Sequence, residues 1–155
     1  MTKTTKTIYF DMDGTIADFY GVSGWLTDLE NSNVRPYAIA KPLIKMNLLA
    51  RLLNLLQKKG YKIGVVSWLS KTGTFEYNEQ VIATKIKWLN THLKSVTFNE
   101  VKIVPYGTPK STVVNNCGIL FDDEDKNRIE WEKANVYNTA YDVNNIIEIL
   151  KALTK

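Results

Sequence analysis

Apolar residues fall along the chain in short runs and in helical stripes, and the two alternate. TIYF at 7–10, YKIGVV at 61–66, VKIV at 101–104 and GILF at 118–121 are rich in β-formers and bounded by turn residues. Each predicts a strand. A weaker fifth strand is expected at 136–140. Between the first two strands, Leu48, Leu49, Leu52, Leu53, Leu55 and Leu56 recur at helical spacing, with Pro42 suited to a first turn and Gly60 to a stop. Ile82, Ile86, Leu89 and Leu93 predict a second helix, entered at Asn78. A short helix is expected at 110–116 after Pro109, and Ile146, Ile149, Leu150 and Leu153 predict a last one. Residues 14–40 show no period. They hold Phe19, Tyr20, Gly21, Gly24, Trp25 and Tyr37 and read as an inserted loop or small helical flap.

Alternation of strand and helix predicts an α/β fold: a mainly parallel sheet of about five strands with helices on both faces. The simplest organisation is one domain, 1–155, with a small insertion at about 16–40.

In open parallel sheets, ligands bind at the carboxyl ends of the strands. Here those ends carry polar residues. The first strand ends at Asp11, with Asp13 two residues on; the second ends at Ser67; the fourth runs into Asp122 and Asp123. Lys110 opens the short segment before the fourth. Four carboxylates, a hydroxyl and an ammonium are therefore expected at one edge. Taken singly, each is weak: Asp-x-Asp-Gly is common in turns, and Asp122-Asp123 alone is more often a solvated turn. DMDG is not a calcium loop, which needs acids at positions 1, 3 and 5 and Gly at 6. GTPKST is not a phosphate-binding P-loop, because no glycine directly precedes Lys110.

Composition narrows the classes. Apolar residues are 45% and charged residues 23% of 155, a globular balance rather than a disordered one. The net charge of +4 suits an anionic partner, but the lysines are scattered as on a solvated surface. A lone cysteine, Cys117, permits no internal disulfide, fits a reducing compartment and is expected to be a small buried residue. MTKTTKTIYF has no apolar signal region, and no uncharged apolar stretch reaches the roughly 18–20 residues of a membrane span. The expectation is a soluble cytoplasmic protein. His92, the single histidine, lies among helical leucines and is expected to be structural; no His/Cys cluster suggests zinc.

Together the strand-end residues form an ordered set: Asp-x-Asp-x-Thr, then Ser, then Lys, then Asp-Asp. The stretches IYFDMDGTIADFYG, IGVVS, TPKSTVV and GILFDDEDKN, within residues 8 to 127, resemble the haloacid dehalogenase-like (HAD) phosphohydrolase superfamily. DMDG, PKSTVV and ILFDD look most like its 5'(3')-deoxyribonucleotidase branch. The resemblance implies a three-layer α/β sandwich and a Mg²⁺-dependent phosphatase working through an aspartyl-phosphate. It makes Asp11 the nucleophile and Asp13 the general acid and base. Ser67 and Lys110 would hold the phosphoryl group, helped by the backbone amides of Met12 and Trp68. Gly14 would let the chain turn tightly. Mg²⁺ would take Asp11, the Asp13 carbonyl and Asp122, with Asp123 beside them or acting through water. Asp125 and Asn127 would cap or tune the site, or stand exposed.

By the same resemblance the insertion caps the site and selects the substrate. Phe19, Tyr20, Trp25 and Tyr37 would stack a nucleobase or form the cap's own core. Trp68 departs from the small residue or proline found after the second-motif hydroxyl in these nucleotidases; it would narrow the pocket or offer a stacking face. The leading expectation is hydrolysis of a small phosphate ester such as a (deoxy)nucleoside monophosphate. A nucleic-acid end phosphatase and a non-catalytic binding or inhibitor protein on the same fold are the alternatives.

Overall fold

The computed structural model describes residues 6–155. Five strands form one sheet in the order β3-β2-β1-β4-β5, every neighbouring pair parallel. They are β1 (Thr7–Phe10), β2 (Lys62–Trp68), β3 (Glu100–Val104), β4 (Gly118–Phe121) and β5 (Thr139–Tyr141). Six helices connect or follow them: α1 (Trp25–Glu30), α2 (Arg35–Ile39), α3 (Met46–Lys58), α4 (Phe75–His92), α5 (Asp125–Ala134) and α6 (Ile146–Leu153). The sheet is all-parallel, as the alternation predicts, and β1 is its centre. Among the described residues, no helix is long and apolar enough to cross a membrane.

Side chains alternate across a strand, and the two faces bury different partners. Ile8 and Phe10 of β1 join Ile63, Val65 and Phe121 under the leucines of α3, Trp88 and Leu89 of α4, and Ile146 and Leu150 of α6. Tyr9, Val66 and Leu120 point the other way, against Trp131 of α5. A third cluster belongs to the insertion: Phe19 and Tyr37 pack on Leu69 and on Tyr77 and Val81 of α4. The insertion is thus a small helical flap, α1 and α2, seated on the first half of α4.

Several boundaries differ from the sequence pattern. Pro42 does not open α3; it pairs with Ala17 in an extended bridge, and Leu43 N–H donates to Ile16 O, tying off the base of the flap. α4 begins one turn before Asn78, because the Thr74 side chain accepts from Tyr77 N and caps it. Its buried stripe is Tyr77, Val81, Lys85, Trp88 and Leu89, while Ile86 is exposed. The expected helix at 110–116 is a single 3₁₀ turn, Lys110–Thr112. Beyond it, the amides of Asn115 and Asn116 are taken by Glu100 and Tyr9 instead of by helical carbonyls. β5 starts three residues later than expected, since Val136 and Tyr137 are exposed in the turn before it. Helix α5 was not legible at all: only Asn127 and Trp131 are buried, so it has no apolar stripe. Cys117 is half-buried rather than buried.

Candidate active site

The topology places β2 and β4 on either side of β1, so their carboxyl ends flank Asp11. Asp11 continues the ladder for one residue, its N–H donating to Phe121 O at 2.9 Å. The chain then turns sharply: the amides of Thr15, Ile16 and Ala17 all donate to Met12 O. Gly14 takes φ +79°, and a Cβ there would lie 2.4 Å from Asp123 Oδ2. Glycine is needed twice over, for the left-handed backbone and for the approach of Asp123.

Four charged groups meet at this edge. Lys110 Nζ donates to Asp11 Oδ1 at 2.9 Å and to Asp122 Oδ2 at 2.6 Å. The three side chains are 2%, 10% and 0% exposed. Burial alone would push the Lys110 ammonium down, but the charges of Asp11 and Asp122 outweigh it and hold it above the ordinary lysine range. Asp122 is further held by Glu124 N–H at 2.9 Å and by Asn127 Nδ2 at 3.1 Å. Asn127 is therefore a buried member of the site. The Thr15 hydroxyl lies 3.1 Å from Asp11 Oδ2 and 3.3 Å from Asp123 Oδ1 and shares its one hydrogen between them.

Asp11, Asp122 and Asp123 each bring a carboxylate oxygen within 4.8 Å of the others. Burial and the Asp11 charge push Asp122 up to about 6, against the pull of Lys110. Burial, then Asp11 and Asp122, push Asp123 up to about 8. An all-oxygen set whose members repel one another suits a hard divalent cation. The residues present fit Mg²⁺.

Asp13 points elsewhere. Its Oδ2 is 2.9 Å from Lys85 Nζ, a residue of α4 that the strand-end motifs do not contain. Lys85 also donates to Ser67 Oγ at 2.7 Å and to Trp68 O at 2.8 Å, and it sits 5.1 Å from the Tyr37 ring centre. Burial pushes the Asp13 carboxyl above its ordinary range; Lys85 opposes this and Asp11 adds to it. A signal for Lys85 existed in the sequence: it lies four residues after Val81 and three before Trp88, on one helical face. An apolar template reads past such a lysine.

The ladder between β1 and β2 ends just below the site. Met12 N–H donates to no group among the described residues. Leu69 N–H donates to Val104 O, so the alternation of the ladder turns Trp68 N–H to the opposite side, where β1 has ended. Two backbone donors are thus left at the strand ends.

A cleft of about 460 Å³ opens over these groups, and Asp11, Asp13, Lys110 and Asp123 are among its lining. Trp25, Tyr20, Trp68 and Tyr106 line it too, with the Trp68 ring centre 5.5 Å from Lys110 Nζ. Phe19 and Tyr37 border it too, but their rings, 4.6 Å apart, are buried in the flap's own core. Tyr20, 52% exposed, offers the freer surface. Trp68 is fixed by Nε1 donating to Thr108 O at 2.8 Å and by Tyr106, 5.0 Å between ring centres. The Met12 side chain is buried in the main core and does not face the cleft. His92 lies tilted against Trp88, 4.3 Å between ring centres and away from the cleft, with burial lowering its pKa.

In comparisons with known proteins, no family model matches the chain and no curated protein matches it.

Proposed function

We propose that this protein is a Mg²⁺-dependent phosphomonoester hydrolase of the HAD type, working through an aspartyl-phosphate. One observation carries the reading. The carboxylate ending the central strand is buried, paired with a buried lysine, and flanked by a second carboxyl, a hydroxyl and unpartnered backbone amides.

Asp11 is the nucleophile: one carboxylate oxygen bonds to phosphorus as the bond to the leaving oxygen breaks. Asp13 gives that oxygen its proton, then takes one from the water that attacks the aspartyl-phosphate, which releases Asp11 and phosphate. The upward push on Asp13 suits a group that must carry a proton near neutrality. Lys110 neutralises charge at Asp11 and beside the phosphoryl oxygens. The Ser67 hydroxyl and the amides of Met12 and Trp68 are the donors to those oxygens. Asp11, Asp122 and Asp123 are the groups that would hold Mg²⁺, with the Asp13 carbonyl added by the resemblance. Bound there, Mg²⁺ would offset the crowded carboxylates and the phosphoryl charge.

The substrate is a small phosphate ester with a planar group, a (deoxy)nucleoside monophosphate being the best fit. The cleft is of ligand size, and Tyr20, Trp25, Trp68 and Tyr106 give it aromatic surface beside the charged groups. Phosphate release from a phosphomonoester panel with Mg²⁺ tests this, beside Asp11→Asn and an EDTA control. Turnover lost in both controls is the expected result. No turnover of any ester by the wild type would refute it.

A further inference from the structure

The chemistry above leaves a buried charge at the edge of the site unused. Lys85 is 1% exposed and directs its three N–H bonds at three acceptors: the Asp13 carboxylate, the Ser67 hydroxyl and the Trp68 carbonyl. An apolar side chain at this point of α4 would pack without desolvating an ammonium. Stability alone therefore does not call for a lysine here.

Its effect on its neighbours is directional. An ammonium only donates, so Ser67 Oγ must accept from Lys85. The one hydrogen of Ser67 is then left to be given to another group. Asp13 meets Lys85 through Oδ2, which leaves Oδ1 as the oxygen that faces other chemistry. A protonated carboxyl still has an acceptor oxygen, so the contact survives whichever state Asp13 is in. Lys85 also couples this pair to the flap. Tyr37 of α2 lies against its ammonium, and Tyr77 and Val81, on the same face of α4, hold the flap's cluster.

We propose that Lys85 is a positioning residue for phosphoryl transfer: it sets the Ser67 hydroxyl as a donor to the phosphoryl group and presents Asp13 Oδ1 to the leaving-group oxygen. The inference rests on the phosphohydrolase reading and adds to it a side chain outside the strand-end motifs.

The test compares two leaving groups. Nitrophenolate departs from p-nitrophenyl phosphate without a proton, whereas the alkoxide of a nucleoside 5'-monophosphate needs one. Lys85→Met should lower kcat on the alkyl ester by on the order of 10²-fold or more, and on the aryl ester by about tenfold or less. The ratio of the two rates within one preparation does not depend on how much of it is folded. Lys85→Gln, neutral and able to donate to Ser67, is the second variant should Lys85→Met not fold. Asp13→Asn should change the ratio in the same way, and adding Lys85→Met to it should change the ratio no further. Equal losses on both esters, or none, would overturn the inference and leave the hydrolase reading standing. A wild type that hydrolyses neither ester would overturn both.

Discussion

Replacing Lys110 by methionine keeps the length of the side chain and removes its charge. In the wild type, Lys110 sits between Asp11 and Asp122 at 2.9 and 2.6 Å, with Asp122 fully buried. Removing one partner from a buried ion pair costs about 3–5 kcal/mol, because the remaining charge has neither water nor a counter-charge. For a chain of this size, each kcal/mol lowers Tm by about 2–4 °C, so Lys110→Met should melt some 6–20 °C lower at pH 7.5 in EDTA. The deficit should depend on pH. Burial and Asp11 push Asp122 up to about 6 even with Lys110 present, and losing the ammonium moves it higher. Below that range the carboxyl is protonated in both proteins and no longer needs the lysine, so the gap should narrow at pH 5. Mg²⁺ should raise the Tm of the variant more than that of the wild type, since both cations answer the same carboxylates. Thermal unfolding at pH 5.0 and 7.5, with and without Mg²⁺, decides the matter. A drop under about 3 °C at pH 7.5, or one that is the same at both pH values, would refute the electrostatic account of this site.

Two further outcomes follow from the same geometry. Gly14→Ala forces a Cβ onto a backbone at φ +79° and to 2.4 Å from Asp123 Oδ2; it should cost about 1–2 kcal/mol from backbone strain alone and should cut turnover by displacing Asp123, both measurable on one preparation by melting and phosphate release. Asp123 is pushed up to about 8, so the folded chain keeps its proton where the unfolded chain, titrating near 3.8, has lost it; metal-free stability therefore falls as pH rises from about 4 to 8. Asp123→Asn removes that slope, and in EDTA its unfolding free energy relative to wild type should climb across this window, by no more than about 1.4 kcal/mol per pH unit.

How far the sequence revealed the molecule can be judged element by element. β1, β2 and β4 were legible because interior parallel strands read as apolar runs, and β3, a partly buried edge strand, because its valines and isoleucine favour extended backbone. α3 was legible because it lays a leucine stripe on a flat sheet. α5 was not, since Trp131 is its one buried apolar side chain and Ile129, its other large one, is exposed. α4 was seen but rotated, because its inner face includes Lys85 and its outer face an exposed Ile86. The site follows the same logic. Asp11, Asp13, Ser67, Lys110, Asp122 and Asp123 stand at the ends of elements, where order along the chain translates into proximity once strands align. Lys85 reaches the site from the middle of a helix, and only the three-dimensional packing brings it there. Among the cleft aromatics, sequence alone does not separate Phe19 and Tyr37, buried in the flap, from Tyr20, which packs edge-on against Phe19 and Trp25 but stays half-exposed.

The central position of β1 bears on how the chain acquires its site. Thr7 pairs with Lys62 on one side and with Gly118 on the other, so the strand that carries Asp11 is completed only by segments far along the chain. Such distant parallel pairings form slowly, because each closes a long loop before it gains any contact. A chain synthesised only as far as residue 100 contains neither Lys110 nor Asp122 and Asp123. Such a chain holds Asp11 and Asp13 on a strand with one edge still open, and the charged centre is completed only when β4 docks beside β1.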